Sequence, residues 1–179
     1  MQADAHIGAL DEIVSAHAAV LGDDFVGYRN HAHRVAQICA ALAAADDERH
    51  RKIAVAAAFH DIGIWTAGTF DYLPPSMRAA EAHLVAAGRP DWIAEILEAI
   101  RQHHKLTPWR GDPAWIVEPF RRADWIDVSG GLLTFGLPRS FLRELYVRWP
   151  GAGFHRRLVV FELAHLRKDP LHPLPMFRF

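Results

Sequence analysis

The sequence predicts an all-α protein, a single-domain helical bundle. Three observations predict it. Apolar residues recur at three- and four-residue spacings, no stretch alternates apolar and polar residues with period two, and Gly, Pro or paired Asp residues stand where each periodic run stops. With 179 residues, 51 % hydrophobic and 23 % charged, the chain can bury one core.

Each element follows from that pattern. The first helix covers residues 6–21, with Ile7, Leu10, Ile13, Val14 and Leu21 as its apolar set, and Gly22-Asp23-Asp24 breaks it. The second runs from Tyr28 to Ala44 with Val35, Ile38 and Leu42 on one face. Asp46 and Asp47 can cap a third, from Glu48 to Ile62, which Gly63 ends. Residues 65–75, with Gly68 and Pro74-Pro75, read as loop. A fourth helix spans Ser76 to Ala87 and stops at Gly88. Pro90-Asp91 opens a fifth, which continues to His104 with Ile93, Ile96, Leu97 and Ile100 inward. Pro108, Gly111 and Pro113 make residues 105–113 a loop. The sixth helix, Trp115 to Val128, holds Pro119, which is expected to split off its first turn. Gly130-Gly131 and Gly136-Leu137-Pro138 precede a seventh from Ser140 to Trp149, and an eighth runs from Phe154 to Arg167. The tail KDPLHPLPMFRF contains three prolines and reads as extended.

Charge and cysteine usage narrow the function classes. The net charge of −1 gives no electrostatic footprint for a nucleic-acid polymer or an anionic membrane. The single cysteine, Cys39, excludes a disulfide within the chain and fits a reducing, cytoplasmic setting. Asp4, Asp11 and Glu12 at the start do not form a secretory signal, and no run of about 18 apolar residues is present to span a membrane.

The chain carries 12 histidines, and several lie at the ends of apolar stripes. His31 aligns with Val35, Ile38 and Leu42, whereas His33 aligns with Gln37 and Ala40 on a blander face. His60-Asp61 closes the apolar run AVAAAF. His103-His104 continues the stripe of the fifth helix, and Asp124 continues Val117 and Phe120; Asp127, one turn on, is the alternative inward carboxylate. Burying an unpaired carboxylate or imidazole costs several kcal/mol. These groups must therefore pair with one another or share a cation. Neutral imidazole suits Zn, Fe, Mn, Co or Ni, and carboxylates suit the same ions and Mg. Each piece alone has a plainer reading: His31 as a core histidine, His103-His104 as a polar helix end, Asp124 as a partner of Arg121 or Arg122. A chain of this composition contains roughly one His-Asp dipeptide by chance.

Taken in order, the chain has His31-x-x-Arg34-Val35, a helix ending His60-Asp61-Ile62-Gly63, then Ile100-x-x-His103-His104, then Ala123-Asp124. Over residues 28–128 this series resembles the HD-domain superfamily of metal-dependent phosphohydrolases. The resemblance implies that His31, His60, Asp61 and Asp124 ligate one divalent metal ion (Mn, Co, Ni, Zn, Fe or Mg). It implies hydrolysis of a nucleotide or other small phosphate ester by metal-activated water. Asp61 would both ligate and orient the water, and His103 or His104 would act as general acid. Arg34, on the same helix as His31, and Lys105 are the candidates to bind phosphate, with an ion-pair arginine as the alternative for Arg34. Family members with two metals carry a further histidine at a position that matches Pro75-Ser76 here, and His83 falls about two helical turns late. One metal is expected, with two metals, using His83 or His104, as the alternative. The segment Trp65 to Pro75 should wall the pocket, with Trp65 or Tyr72 stacking a base or packing in the core. Two other functions stay open: a di-iron oxygenase of the same fold family, and a non-catalytic sensor or interaction domain. Residues 129–179 add no motif, and the apolar tail residues Phe177 and Phe179 would pack either on the body or on a second copy, which would make a homodimer.

Overall fold

A computed structural model describes residues 3–69, 71–170 and 176. The architecture is all-α, and among the described residues no strand occurs and no helix is long and apolar enough to cross a membrane. The order is α1 (Ala3–Ser15), the single turn α2 (Ala18–Leu21), a 3-10 turn (Gly22–Asp24), α3 (Phe25–Ala43) and α4 (Asp47–Phe59). There follow the single turn α5 (Gly63–Thr66), α6 (Leu73–Ala86), a 3-10 turn (Pro90–Trp92) and α7 (Ile93–Gln102). The chain then forms α8 (Val117–Val128), α9 (Arg139–Arg148) and α10 (Phe154–Lys168).

α3 is the central element. It packs most extensively on α8, and α4, α1, α9 and α10 cover its other sides. Tyr28, Ala32, Val35, Ile38 and Cys39 of this helix are buried, and so are Asn30, His31, His33 and Arg34. A helix surrounded in this way must satisfy its polar side chains inside the protein. α4 is capped as its sequence indicates: Asp46 accepts a hydrogen bond from the Arg49 backbone N–H at 2.8 Å, and Asp47 and Glu48 occupy the first turn.

The structure departs from the sequence reading at the element ends. α6 begins at Leu73, so Pro74-Pro75 form its first turn rather than a loop, where a missing N–H leaves no bond unmade. Pro119 likewise lies in the first turn of α8 and splits off nothing; Phe120 still donates to Ile116 O at 2.8 Å. Gly63 does not end a helix. It opens α5, and a Cβ there would stand 2.4 Å from Tyr72 O and 2.9 Å from Ser76 Oγ. The glycine is required by the close approach of α6. Met176 is buried against Ile64, Tyr72 and Leu73, while Phe177 and Phe179 lie outside the described residues.

Candidate metal centre

α4 is apolar until Phe59, and His60-Asp61-Ile62 then turns the chain into α5. That turn projects two ionisable side chains from the end of a core helix toward α3 and α8. His60 Nδ1 donates to Ala57 O at 2.9 Å. On α3, His31 Nδ1 donates to Asp127 Oδ2 at 2.6 Å. A carbonyl and a carboxylate only accept, so both rings carry their proton on Nδ1 and their lone pair on Nε2. The two Nε2 atoms face each other at 2.9 Å.

Carboxylates complete the cluster. Asp61 Oδ2 lies 3.4 Å from His60 Nε2 and 3.7 Å from His31 Nε2. Asp124 Oδ1, from α8, lies 3.8 Å and 3.7 Å from the same atoms. Ligand atoms about 2.1 Å from a common ion stand about 3.0 to 3.4 Å apart in octahedral or tetrahedral arrangements, close to these spacings. Asp61 Oδ1 and both Asp124 oxygens are buried without a hydrogen-bond partner. The buried His/Asp cluster is therefore compatible with a divalent metal ion.

A second tier fixes the first. Arg34, with no exposed surface, binds Asp127 in bidentate fashion, Nε to Oδ1 at 2.6 Å and Nη2 to Oδ2 at 2.8 Å. Its Nη1 donates to Trp149 O at 2.8 Å. Burial works to raise Asp127, but Arg34 and His31 outweigh it and hold the carboxyl well below the usual range. Phe154 stacks on His31 at 4.1 Å between centroids, and Phe120 packs edge-on against His60 at 5.6 Å.

His103 and His104 lie on the other side of Asp61. His103 Nδ1 donates to Ile100 O at 2.6 Å, and its Nε2 stands 3.3 Å from Asp61 Oδ1. Burial, with the charges of Asp61 and Asp124, pushes the Tyr72 phenol well above its ordinary value. Tyr72 therefore keeps its proton and donates to His104 Nε2 at 2.5 Å. Burial, reinforced by His103, pulls His104 well below the ordinary imidazole value. Neutral, it carries its proton on Nδ1, 3.6 Å from Asp124 Oδ2.

The structure thus brings His31, His60, Asp61, Asp124, His103 and His104 together. It does not bring Arg34 to them as a phosphate contact: the guanidinium is buried and engaged by Asp127 and Trp149. Lys105 is half-buried and lies off the cavity that opens onto Asp61 and Asp124, offering its carbonyl to Arg121 and Trp125. His83 packs on Phe59 near His17, away from the cluster. Ser76 is buried and accepts from the Gly63 N–H at 2.9 Å. Trp65 is a packed aromatic whose indole N–H donates to Asp24. The orienting role of Asp127 was signalled only by its position three residues after Asp124, on the same face of one helix.

A protein-family model described as the HD domain matches residues 28–130. No curated protein and no solved structure gave a match. The matched stretch begins three residues before His31, ends three after Asp127 and takes in His31 and Arg34 on α3, His60 and Asp61 at the end of α4, and Asp124 and Asp127 on α8. More than half of the chain being matched, it belongs to the HD-domain superfamily of metal-dependent phosphohydrolases.

Proposed function

We propose that this chain is a metal-dependent phosphohydrolase acting on a nucleotide or other small phosphate ester, with His31, His60, Asp61 and Asp124 holding one divalent ion. The observation that carries the reading is the facing pair of imidazole lone pairs at 2.9 Å beside buried carboxylate oxygens that lack hydrogen-bond partners. A divalent ion bound there lowers the pKa of water and offsets charge on the phosphoryl oxygens. Asp127 and Ala57 O hold the two imidazoles in the tautomer that presents Nε2. Asp61 turns Oδ2 toward the imidazoles and Oδ1 toward His103, so Oδ1 can orient the attacking water and take its proton. His104 lines the cavity, and Tyr72 holds it with its proton on Nδ1, ready to bond a phosphoryl or leaving-group oxygen. The buried Cys39 supports a reducing, cytoplasmic setting.

A second arrangement has support from one observation: Asp61, His103 and His104 also converge, as a three-residue group that shares Asp61. It makes two ions per chain the alternative stoichiometry. The test is elemental analysis of protein purified without an affinity-metal step, as wild type and as Asp61→Ala, together with turnover on phosphate esters. About one ion per chain, lost with turnover in a folded Asp61→Ala, supports the proposal. Two irons with oxygen-responsive visible absorption would replace it with the oxygenase reading. No metal after addition of Mn, Co, Ni or Mg would mean a non-catalytic domain.

A further inference from the structure

The cavity that reaches Asp61, Asp124 and His104 has an apolar wall. Ile64, Val128, Leu158, Val159, Leu163 and Met176 line it, and its volume is about 270 Å³. Val159 and Leu163 are 57 % and 52 % exposed, and Val128 is 39 % exposed, so among the described residues α8 and α10 present large apolar side chains to this opening. Among the described residues, no lysine or arginine lines the cavity, and Glu162 contributes a carboxylate whose Oε2 is buried without a hydrogen-bond partner. An apolar cavity of about 150 Å³ accommodates a benzene ring, so this one has room for a substituted ring or a branched chain.

We infer that the substrate is a phosphate monoester of a small apolar alcohol, its phosphoryl group at Asp61 and Asp124 and its organic part against α8 and α10. The inference rests on the phosphohydrolase reading and narrows its substrate. Removing apolar surface from water is favourable in proportion to the area covered, and this wall offers that area beside the reacting position. A second or third phosphate would enter the same space with no lysine or arginine among the described lining residues to balance it and with Glu162 opposing it. The wall therefore selects against nucleoside di- and triphosphates.

The test is calorimetric binding of methylphosphonate, benzylphosphonate and ADP to the metal-loaded protein, wild type and Leu163→Ser. In wild type, benzylphosphonate should bind about tenfold or more tighter than methylphosphonate and tighter than ADP. In Leu163→Ser that advantage should shrink while methylphosphonate affinity and metal content stay unchanged. Equal affinities for the two phosphonates, or a preference for ADP, would overturn the apolar-substrate assignment and leave the hydrolase reading standing. Binding of none of the three would overturn both.

Discussion

Replacing Arg34 by methionine separates a structural arginine from a substrate-binding one. The guanidinium makes two short bonds to Asp127, at 2.6 and 2.8 Å, and donates to Trp149 O at 2.8 Å, all without solvent exposure. Methionine keeps most of the aliphatic length and removes the charge. Asp127 is then left as a buried carboxylate with His31 as its remaining side-chain donor. Removing one partner of a buried ion pair costs about 3–5 kcal/mol. In a domain of this size each kcal/mol moves Tm by roughly 2–4 °C, so a fall of roughly 6–20 °C is expected. Were Arg34 to bind phosphate instead, losing a charge-assisted hydrogen bond would cost about 1.5–3 kcal/mol of binding, roughly ten- to a hundredfold in KM. Circular-dichroism melting and KM, measured where the variant is folded, tell the two apart. A lowered Tm with unchanged KM is the expected result; an unchanged Tm with a raised KM would refute the structural role.

The same pair sets a pH dependence. Asp127 is held below its ordinary value in the folded protein, so its contribution is fully present above the unfolded value of about 3.9. It is lost as pH falls through the lower folded value. The gap between wild type and Arg34→Met should therefore be constant near neutrality and narrow below about pH 4. A gap that widened in acid would contradict the assigned direction.

Three further substitutions probe the surrounding design. His33→Ala should cost about 1–3 kcal/mol, because the ring is buried, bonds Asp11 at 2.6 Å and stacks on Trp149 at 5.1 Å. Metal content should not change in this variant, and its loss would make His33 a ligand. Gly63→Ala should destabilise by about 1–3 kcal/mol or more, because the new Cβ meets the Tyr72 carbonyl. It should also reduce kcat/KM by shifting Tyr72, so a Tm and turnover like wild type would show that the close approach is unimportant. His83→Ala should leave the metal per chain unchanged, since His83 lies against Phe59; a halved stoichiometry would place it in a second metal site.

The fold class and most helices were legible because each rests on local information: a 3.6-residue apolar period and a breaker or cap at each end. The inward setting of His31 followed from its alignment with Val35 and Ile38. The same rule puts His33 on a blander face away from the apolar stripe, yet the ring is buried. Its own helix face is bland, and its burial comes from Asp11 on α1 and Trp149 after α9, which no window around residue 33 reveals. For Arg34 the structure matches the ion-pair alternative, which the local sequence cannot single out for the same reason. Its partner Asp127 is 93 positions away in the chain, and only the assembled α3–α8 pair shows that the guanidinium is engaged. At Gly63 the sequence signal was real but its cause was tertiary: the residue accommodates a neighbouring helix instead of ending its own.

What His31 and His60 share between them is constrained by protonation. Two imidazole lone pairs 2.9 Å apart repel unless something positive lies between them. A shared proton would serve if either ring kept one on Nε2 at working pH. Burial first, with His31 and His103 adding to it against the pull of Asp61, pushes His60 down to about 3. A proton placed there is thus given up well below neutrality. The nearest carboxylates cannot relieve the contact, because they too present lone pairs. One of them, Asp124, is lifted by burial to about 7, so near neutrality it holds a proton part of the time, which a bound cation would displace. A divalent cation between His31, His60, Asp61 and Asp124 satisfies all four acceptor atoms at once. On that reasoning His31→Gln, which offers an amide in place of the imidazole, should lower metal affinity. The loss should exceed that from His103→Gln, and competition with a chromophoric chelator measures both. A larger loss from His103→Gln than from His31→Gln would mean that the ion sits between Asp61 and His103, and the site would have to be redrawn around the second cluster.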